Sequence, residues 1–148
     1  DQLDIPVIGP ETMTGKISTR AEWIKNDVVD ILRGGVGDLG GLTPLMKVAH
    51  LAESFNMAME VHGGKEGNLH ALGSMRLPGE FYERGLLHPH VDYEKPPDYL
   101  HEIMDPMDEE GFIHMPKGDG LGWKINHDYI NDNLVLGDDN KEKARRSY

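Results

Sequence analysis

The 148-residue sequence contains no cysteine, which excludes disulfides, thiolate nucleophiles and sulfur-ligated zinc or iron–sulfur sites. Long apolar runs are missing too. No stretch approaches the roughly 18 consecutive apolar residues of a membrane-spanning helix, so no membrane partner is expected. Positive charge is scarce: 15 Lys and Arg stand against 26 Asp and Glu, a formal net charge of −11. A surface of that sign repels phosphate backbones, and nucleic acid is not an expected partner. No charged-then-apolar leader precedes Ile5-Pro6-Val7, so the expected compartment is cytoplasmic. The first residue is not Met and the first segment already reads as a strand, from which the chain is expected to start partway through a longer protein. What is present, 38% hydrophobic and 28% charged residues, suits one soluble globular domain large enough to bury a core.

The first half repeats a short apolar run, a polar loop and an amphipathic helix, the pattern of βα units around a parallel sheet. Ile5-Pro6-Val7-Ile8 predicts the first strand. Its helix is predicted over about Arg20 to Asn26, with Thr19 and Glu22 as a capping box. Val28 to Leu32 predicts the second strand, followed by a glycine-rich loop and a helix capped by Thr43 with Pro44 in its first position. That helix should run to about Phe55, with Leu45, Val48, Ala52 and Phe55 facing the core, and stop at a left-handed Asn56. Met57 to Val61 predicts the third strand, Asn68 to Met75 a weaker helix, and Phe81-Tyr82-Glu83 a short fourth strand. From Pro89 to 136 the chain turns acidic and rich in proline, which suits a long traverse with one strand at Phe112–Met115 and a turn at Pro116–Gly120. That turn is not a phosphate cradle, since the Gly-Lys-[Ser/Thr] of a P-loop is missing. The charged tail, 137–148, is expected to be disordered.

In a parallel βα array the loops after the strands converge on one mouth, and the groups that do chemistry collect there. Four strand ends supply them: Glu11, the Arg33-Gly34-Gly35 stretch, His62 and Glu83. Alone, Glu11 is also an ordinary solvated acid and His62 an ordinary structural histidine. Together they suit a hard-metal ligand, a proton-transfer base and an electrophilic partner.

Asp30-Ile31-Leu32, Gly40-Gly41-Leu42-Thr43-Pro44, the helix Lys47–Phe55 and Glu60-Val61-His62-Gly63 resemble, in order and spacing, the mandelate racemase/muconate lactonizing enzyme branch of the enolase superfamily. The resemblance continues through Tyr82-Glu83-Arg84 to Gly118-Asp119-Gly120-Leu121-Gly122. It implies an α/β fold, the C-terminal portion of a modified TIM (β/α) barrel, with the last βα units at 1–88 and a return segment toward a capping domain at 89–136. It further implies that Glu11, in Gly9-Pro10-Glu11, is the last of three carboxylate ligands to Mg2+. His62 would be the base or acid of the penultimate strand, and Glu83 the last-strand acid that binds the substrate carboxylate. The other two ligands and the opposite-face base have no counterpart here. The implied activity is a hydro-lyase reaction, dehydration of an acid sugar by a homo-oligomeric enzyme when complete. A racemase or epimerase, and a noncatalytic barrel remnant serving as an interaction module, remain as alternatives.

One departure concerns the aspartate that usually orients the histidine, because Gly35 stands in its place. Asp38 could reach His62 from the loop, or be a solvated acid. Strand alternation puts Glu60 and Arg33 on the face of His62, which predicts an Arg33–Glu60 ion pair beneath the site, with Arg33 reaching up to a substrate carboxylate as the alternative. Asn68 is read as a helix cap, or as a contact for a polyol. His70, His88, His90, His101, His114 and His127 show no metal-ligand spacing, and Trp23 and Trp123 read as packing residues.

Overall fold

A computed structural model of the chain describes residues 4–13, 16–64, 67–79, 81–84 and 95–135. Three strands, β1 (Ile8–Gly9), β2 (Ile31–Gly34) and β3 (Met59–Val61), form a parallel sheet in that order. Between them lie α1 (Lys16–Lys25), the single turn α2 (Val36–Leu39) and α3 (Leu42–Ser54); α4 (Asn68–Ser74) and α5 (His127–Asp132) follow. The register pairs Leu32 with Met59, Arg33 with Glu60 and Gly34 with Val61. Paired residues of a parallel ladder share a face, and successive ones alternate. Leu32, Met59 and Val61 are accordingly buried beneath the helices with Leu39, Leu45, Val48 and Ala52, while Arg33 and Glu60 are only half-buried on the opposite face. Each fully buried Leu or Val contributes about 1.5–3 kcal/mol relative to exposure. The same alternation that builds the core therefore turns Arg33 toward the site.

The helices stop as their residues dictate. After α3, Asn56 takes φ 54°, and the amides of Asn56 and Met57 donate to Glu53 and Ala52. These two bonds are the Schellman arrangement, with the predicted Asn56 at the left-handed position. Asp27 (φ 52°) ends α1 in the same way, its amide and that of Val28 donating to Ile24 and Trp23.

Several expected boundaries move. The first helix begins at Lys16 and not Arg20, so Thr19 lies inside it. The strands occupy the later part of each apolar run: Asp30 accepts the Val7 amide at 2.6 Å through its side chain, and the ladder proper begins at Ile31. Gly41, not Thr43, precedes the first residue of α3, and Pro44 falls at its third position, where the missing N–H is still one that no helix would satisfy. Phe55 lies past the last helical residue and is exposed, not core. The fourth strand is absent from the described ladder: Pro78 makes one parallel bridge to Met59, and 81–84 carry no strand pairing. Phe112–Met115 is likewise reduced to a single antiparallel bridge between Met107 and Ile113. There the Asp108 side chain folds the loop on itself, accepting the amides of Glu110 (3.1 Å) and Phe112 (2.7 Å). The 88/89 boundary and the charged tail lie outside the described residues.

Candidate active site

Glu11 follows β1, and its loop is held by a side chain that sequence reasoning missed. Arg20 is fully buried, and its guanidinium donates to the carbonyls of Glu11 (2.7 Å), Met13 (3.1 Å), Pro10 (3.4 Å) and Arg33 (3.5 Å). It thus ties the end of β1 to the end of β2. Burial pulls its pKa below the ordinary arginine value, and the charge of Asp38 opposes that shift. A signal did exist: Arg20 lies between Ile17 and Ile24 at helical spacing, a charge in the middle of an apolar stripe.

Arg33 is the centre of the cluster. Its Nε donates to Glu11 Oε2 at 3.0 Å, its Nη2 forms an ion pair with Glu83 Oε2, and Nη2 lies 3.1 Å from His62 Nδ1. His62 in turn has Nε2 at 3.6 Å from Glu11 Oε1 and Nδ1 at 3.3 Å from Glu83 Oε2. The four residues named by the strand-end argument therefore meet in one place. Neutral His62 can accept from Arg33 at Nδ1 and point its Nε2–H toward Glu11. Protonated, it has a carboxylate on either side, so both protonation states are served.

The predicted Arg33–Glu60 ion pair is replaced. The two residues share a face and a layer, as the register required, but among the described residues the ion pairs of Arg33 go to Glu11 and Glu83. The Glu60 carboxyl group lies against Gly79, where a Cβ would overlap it. No contact between Asp38 and His62 is found among the described residues; the Asp38 charge acts on Arg20, and its Oδ2 is buried without a hydrogen bond. The reason Gly35 is not an aspartate is steric, because a Cβ there would overlap the carbonyl oxygen of His62. Arg33 meets the imidazole from the other side.

Asn68 does not cap its own helix, which starts after a left-handed Gly67. It is buried and braces the site from behind: its Nδ2 donates to the carbonyls of His62 (3.0 Å) and Gly63 (2.9 Å), and its Oδ1 accepts the Val36 amide (2.9 Å) at the start of α2. Of the other histidines, His114 pairs with Asp108 at 2.6 Å in the return segment; His88 and His90 lie outside the described residues. Trp23 packs on the core, where Gly9 leaves it room.

Burial alone would raise the pKa of Glu83. The Gly63 amide (3.0 Å), Arg33 and His62 together outweigh it and hold the carboxyl below its ordinary range. A depressed folded-state pKa contributes stability that is fully present above the unfolded value of about 4.3 and is lost as pH falls through the folded value. Glu83→Gln is expected to flatten the fall of stability below about pH 4.3, read from urea unfolding at stepped pH. An unchanged profile would remove Glu83 from the ionised cluster.

The described residues form an α/β fold with a parallel sheet, and Glu11, Arg33 and His62 gather at its strand ends. The chain belongs to the enolase C-terminal domain-like family, whose model matches residues 1–129. It is similar to a magnesium-complexed D-glucarate dehydratase of Agrobacterium tumefaciens, with 51% identity and a TM-score of 0.83 over 90% of this chain and 35% of that one. A D-galactonate dehydratase family member of Enterocloster bolteae is 33% identical over 57 residues, 36% of this chain and 14% of the relative. A mandelate racemase/muconate lactonizing enzyme of Sulfitobacter sp., at 23% identity and a TM-score of 0.66 over 92% of this chain and 33% of that one, shares the fold. The chain thus spans about a third of the length of the structures it matches. Among the described residues, no helix is long and apolar enough to cross a membrane.

Proposed function

We propose that this chain is the C-terminal part of a magnesium-dependent acid-sugar dehydratase, a hydro-lyase, built as a modified TIM barrel in which 1–88 supply the last βα units and 89–136 return toward a capping domain. The observation that carries it is the meeting of Glu83 with Glu11, Arg33 and His62, which stand at the ends of the parallel strands. The 51% identity to a D-glucarate dehydratase favours dehydration over racemisation.

Glu11 offers a hard oxygen: its carboxylate is half-exposed, and its Oε1 has no described donor closer than His62 Nε2 at 3.6 Å. Among the described residues no three His, Asp or Glu side chains are arranged to hold a metal ion together. Glu11 therefore fits as one ligand of a set completed by residues outside this chain. Bound there, magnesium would supply positive charge for the negative charge that collects on the substrate carboxylate when the α-proton leaves.

This chain's residues carry the rest. Arg33 presents a cation to the substrate's carboxylate, and the ionised Glu83 presents an acceptor to its hydroxyls. His62 takes one of the two proton transfers. The α-proton passes to a base, the C–H electron pair becomes the Cα–Cβ double bond, the bond to the β-hydroxyl breaks, and that group departs as water with a proton from the acid.

Titrating the 148-residue chain with magnesium alone is expected to reveal no stoichiometric micromolar site, because one carboxylate cannot supply the oxygen shell of a hard divalent ion. In a protein of the relatives' length, Glu11→Gln is expected to weaken magnesium binding about tenfold or more by calorimetry, since a neutral amide replaces an anionic ligand. A tight site in the chain alone, or full affinity in the variant, would overturn the ligand assignment.

A further inference from the structure

The return segment places one buried acid directly behind Glu83. Asp105 is 8% exposed, and its Oδ2 accepts the Tyr82 hydroxyl at 2.9 Å while its Oδ1 lies 3.8 Å from Arg84 Nε. Tyr82 and Arg84 are the two chain neighbours of Glu83. Their side chains turn to Asp105, whereas Glu83 turns the opposite way to Gly63, Arg33 and His62. Both peptide planes that set the direction of Glu83 are thus anchored through one carboxylate. The packing leaves no slack: a Cβ at Gly64 would lie 2.9 Å from Asp105 Oδ2, 3.1 Å from the Tyr82 hydroxyl and 3.3 Å from the Glu83 carbonyl. The loop that carries His62 therefore rests on the same acid. Nothing in the acidic, proline-rich composition of 95–111 distinguishes Asp105 from the solvated acids around it.

We propose that Asp105 is a positioning residue, which fixes the direction of Glu83 by holding Tyr82 and Arg84 from behind. This deepens the dehydratase proposal, because it rests on Glu83 facing the substrate. The Tyr82 hydrogen bond supplies the directional contact, and the Arg84 guanidinium adds an ion pair at 3.8 Å, beyond hydrogen-bond distance, on the other carboxylate oxygen. Losing the acid would let the 81–84 backbone rotate without dissolving the sheet, whose ladder lies elsewhere.

Amide hydrogen exchange on the full chain reads this without turnover. The Gly63 amide donates to Glu83 Oε2, and the neighbouring His62 amide donates to the Gly34 carbonyl within the β2–β3 ladder. Asp105→Ala is expected to speed exchange at Gly63 about tenfold or more while His62 keeps its protection. Asp105→Asn, which still accepts from Tyr82, should retain most of the protection at Gly63. Tyr82→Phe removes a single bond and gives a smaller change in the same direction, which keeps the test open if Asp105→Ala does not fold. Unchanged exchange at Gly63, or equal loss at Gly63 and His62, would overturn the positioning role. In a protein of the relatives' length, Asp105→Ala should lower kcat more than it raises KM, with Asp105→Asn partly restoring it. If the unaltered protein dehydrates no acid sugar yet Gly63 responds as expected, the dehydratase proposal falls and the positioning of Glu83 stands.

Discussion

In a protein of the relatives' length, His62→Asn is expected to keep its fold and its magnesium affinity and to lose turnover by about 10²–10⁴-fold, the contribution of a positioned proton-transfer group. Asn can accept from Arg33 in the place of Nδ1, so the cluster should survive. It cannot exchange a proton near neutral pH, so the chemistry should not. The imidazole sits between Glu11 at 3.6 Å and Glu83 at 3.3 Å, with Arg33 at 3.1 Å from its Nδ1, so its ring nitrogens face the groups of the site. Steady-state kinetics beside a magnesium titration separates the two effects, and near-complete turnover in the variant would deprive His62 of its role.

The largest loss of stability is expected from Arg20→Met. Methionine fills much of the volume but withdraws the guanidinium from the carbonyls of Glu11 and Met13, which accept at 2.7 and 3.1 Å, and leaves the Glu11 carbonyl, among the described residues, only the Met13 amide at 2.9 Å. The two longer contacts, to Pro10 and Arg33 at 3.4 and 3.5 Å, contribute less. Asp38 also loses the cation that faces it, with its Oδ2 already buried and unpaired. Breaking a buried charged network in this way costs about 3–5 kcal/mol. A domain is stable by only about 5–15 kcal/mol. Denaturant unfolding followed by circular dichroism should thus show a large shift in midpoint. A loss below about 1 kcal/mol would mean that water replaces the guanidinium, as at an exposed site.

Glu11, Arg33 and His62 were legible because period-two alternation and parallel topology are written in short apolar runs, and the loops after parallel strands share one mouth; Glu83 joins them from a segment expected as a strand that carries no strand pairing. The register pairing of Arg33 with Glu60 was legible for the same reason. The direction of the Arg33 guanidinium was not: a long side chain goes to the strongest acceptors, and Glu11 and Glu83 lie within its reach. Arg20 showed only as a charge within an apolar stripe and Asn68 only as a cap or polyol contact; their partners were not legible, because both act on backbone carbonyls brought near by tertiary packing. Gly35 was visible as the loss of an aspartate, but its cause, contact with the His62 carbonyl, exists only in three dimensions. Helix ends were legible where a specific conformation stops them, as at Asn56, and shifted where capping patterns such as Thr19 and Thr43 competed with the packing of the first turn.

The central claim is that this cluster belongs to a dehydratase acting on acid sugars with magnesium. The most direct measurement incubates a protein of the relatives' length with a panel of aldonates and aldarates and magnesium in D2O, following the products by proton NMR. The account predicts that at least one acid sugar loses water to give a 2-keto-3-deoxy acid, and that a chelator abolishes the reaction. Exchange of the α-proton for deuterium with epimerisation and no loss of water, or no change in any acid sugar, would contradict it.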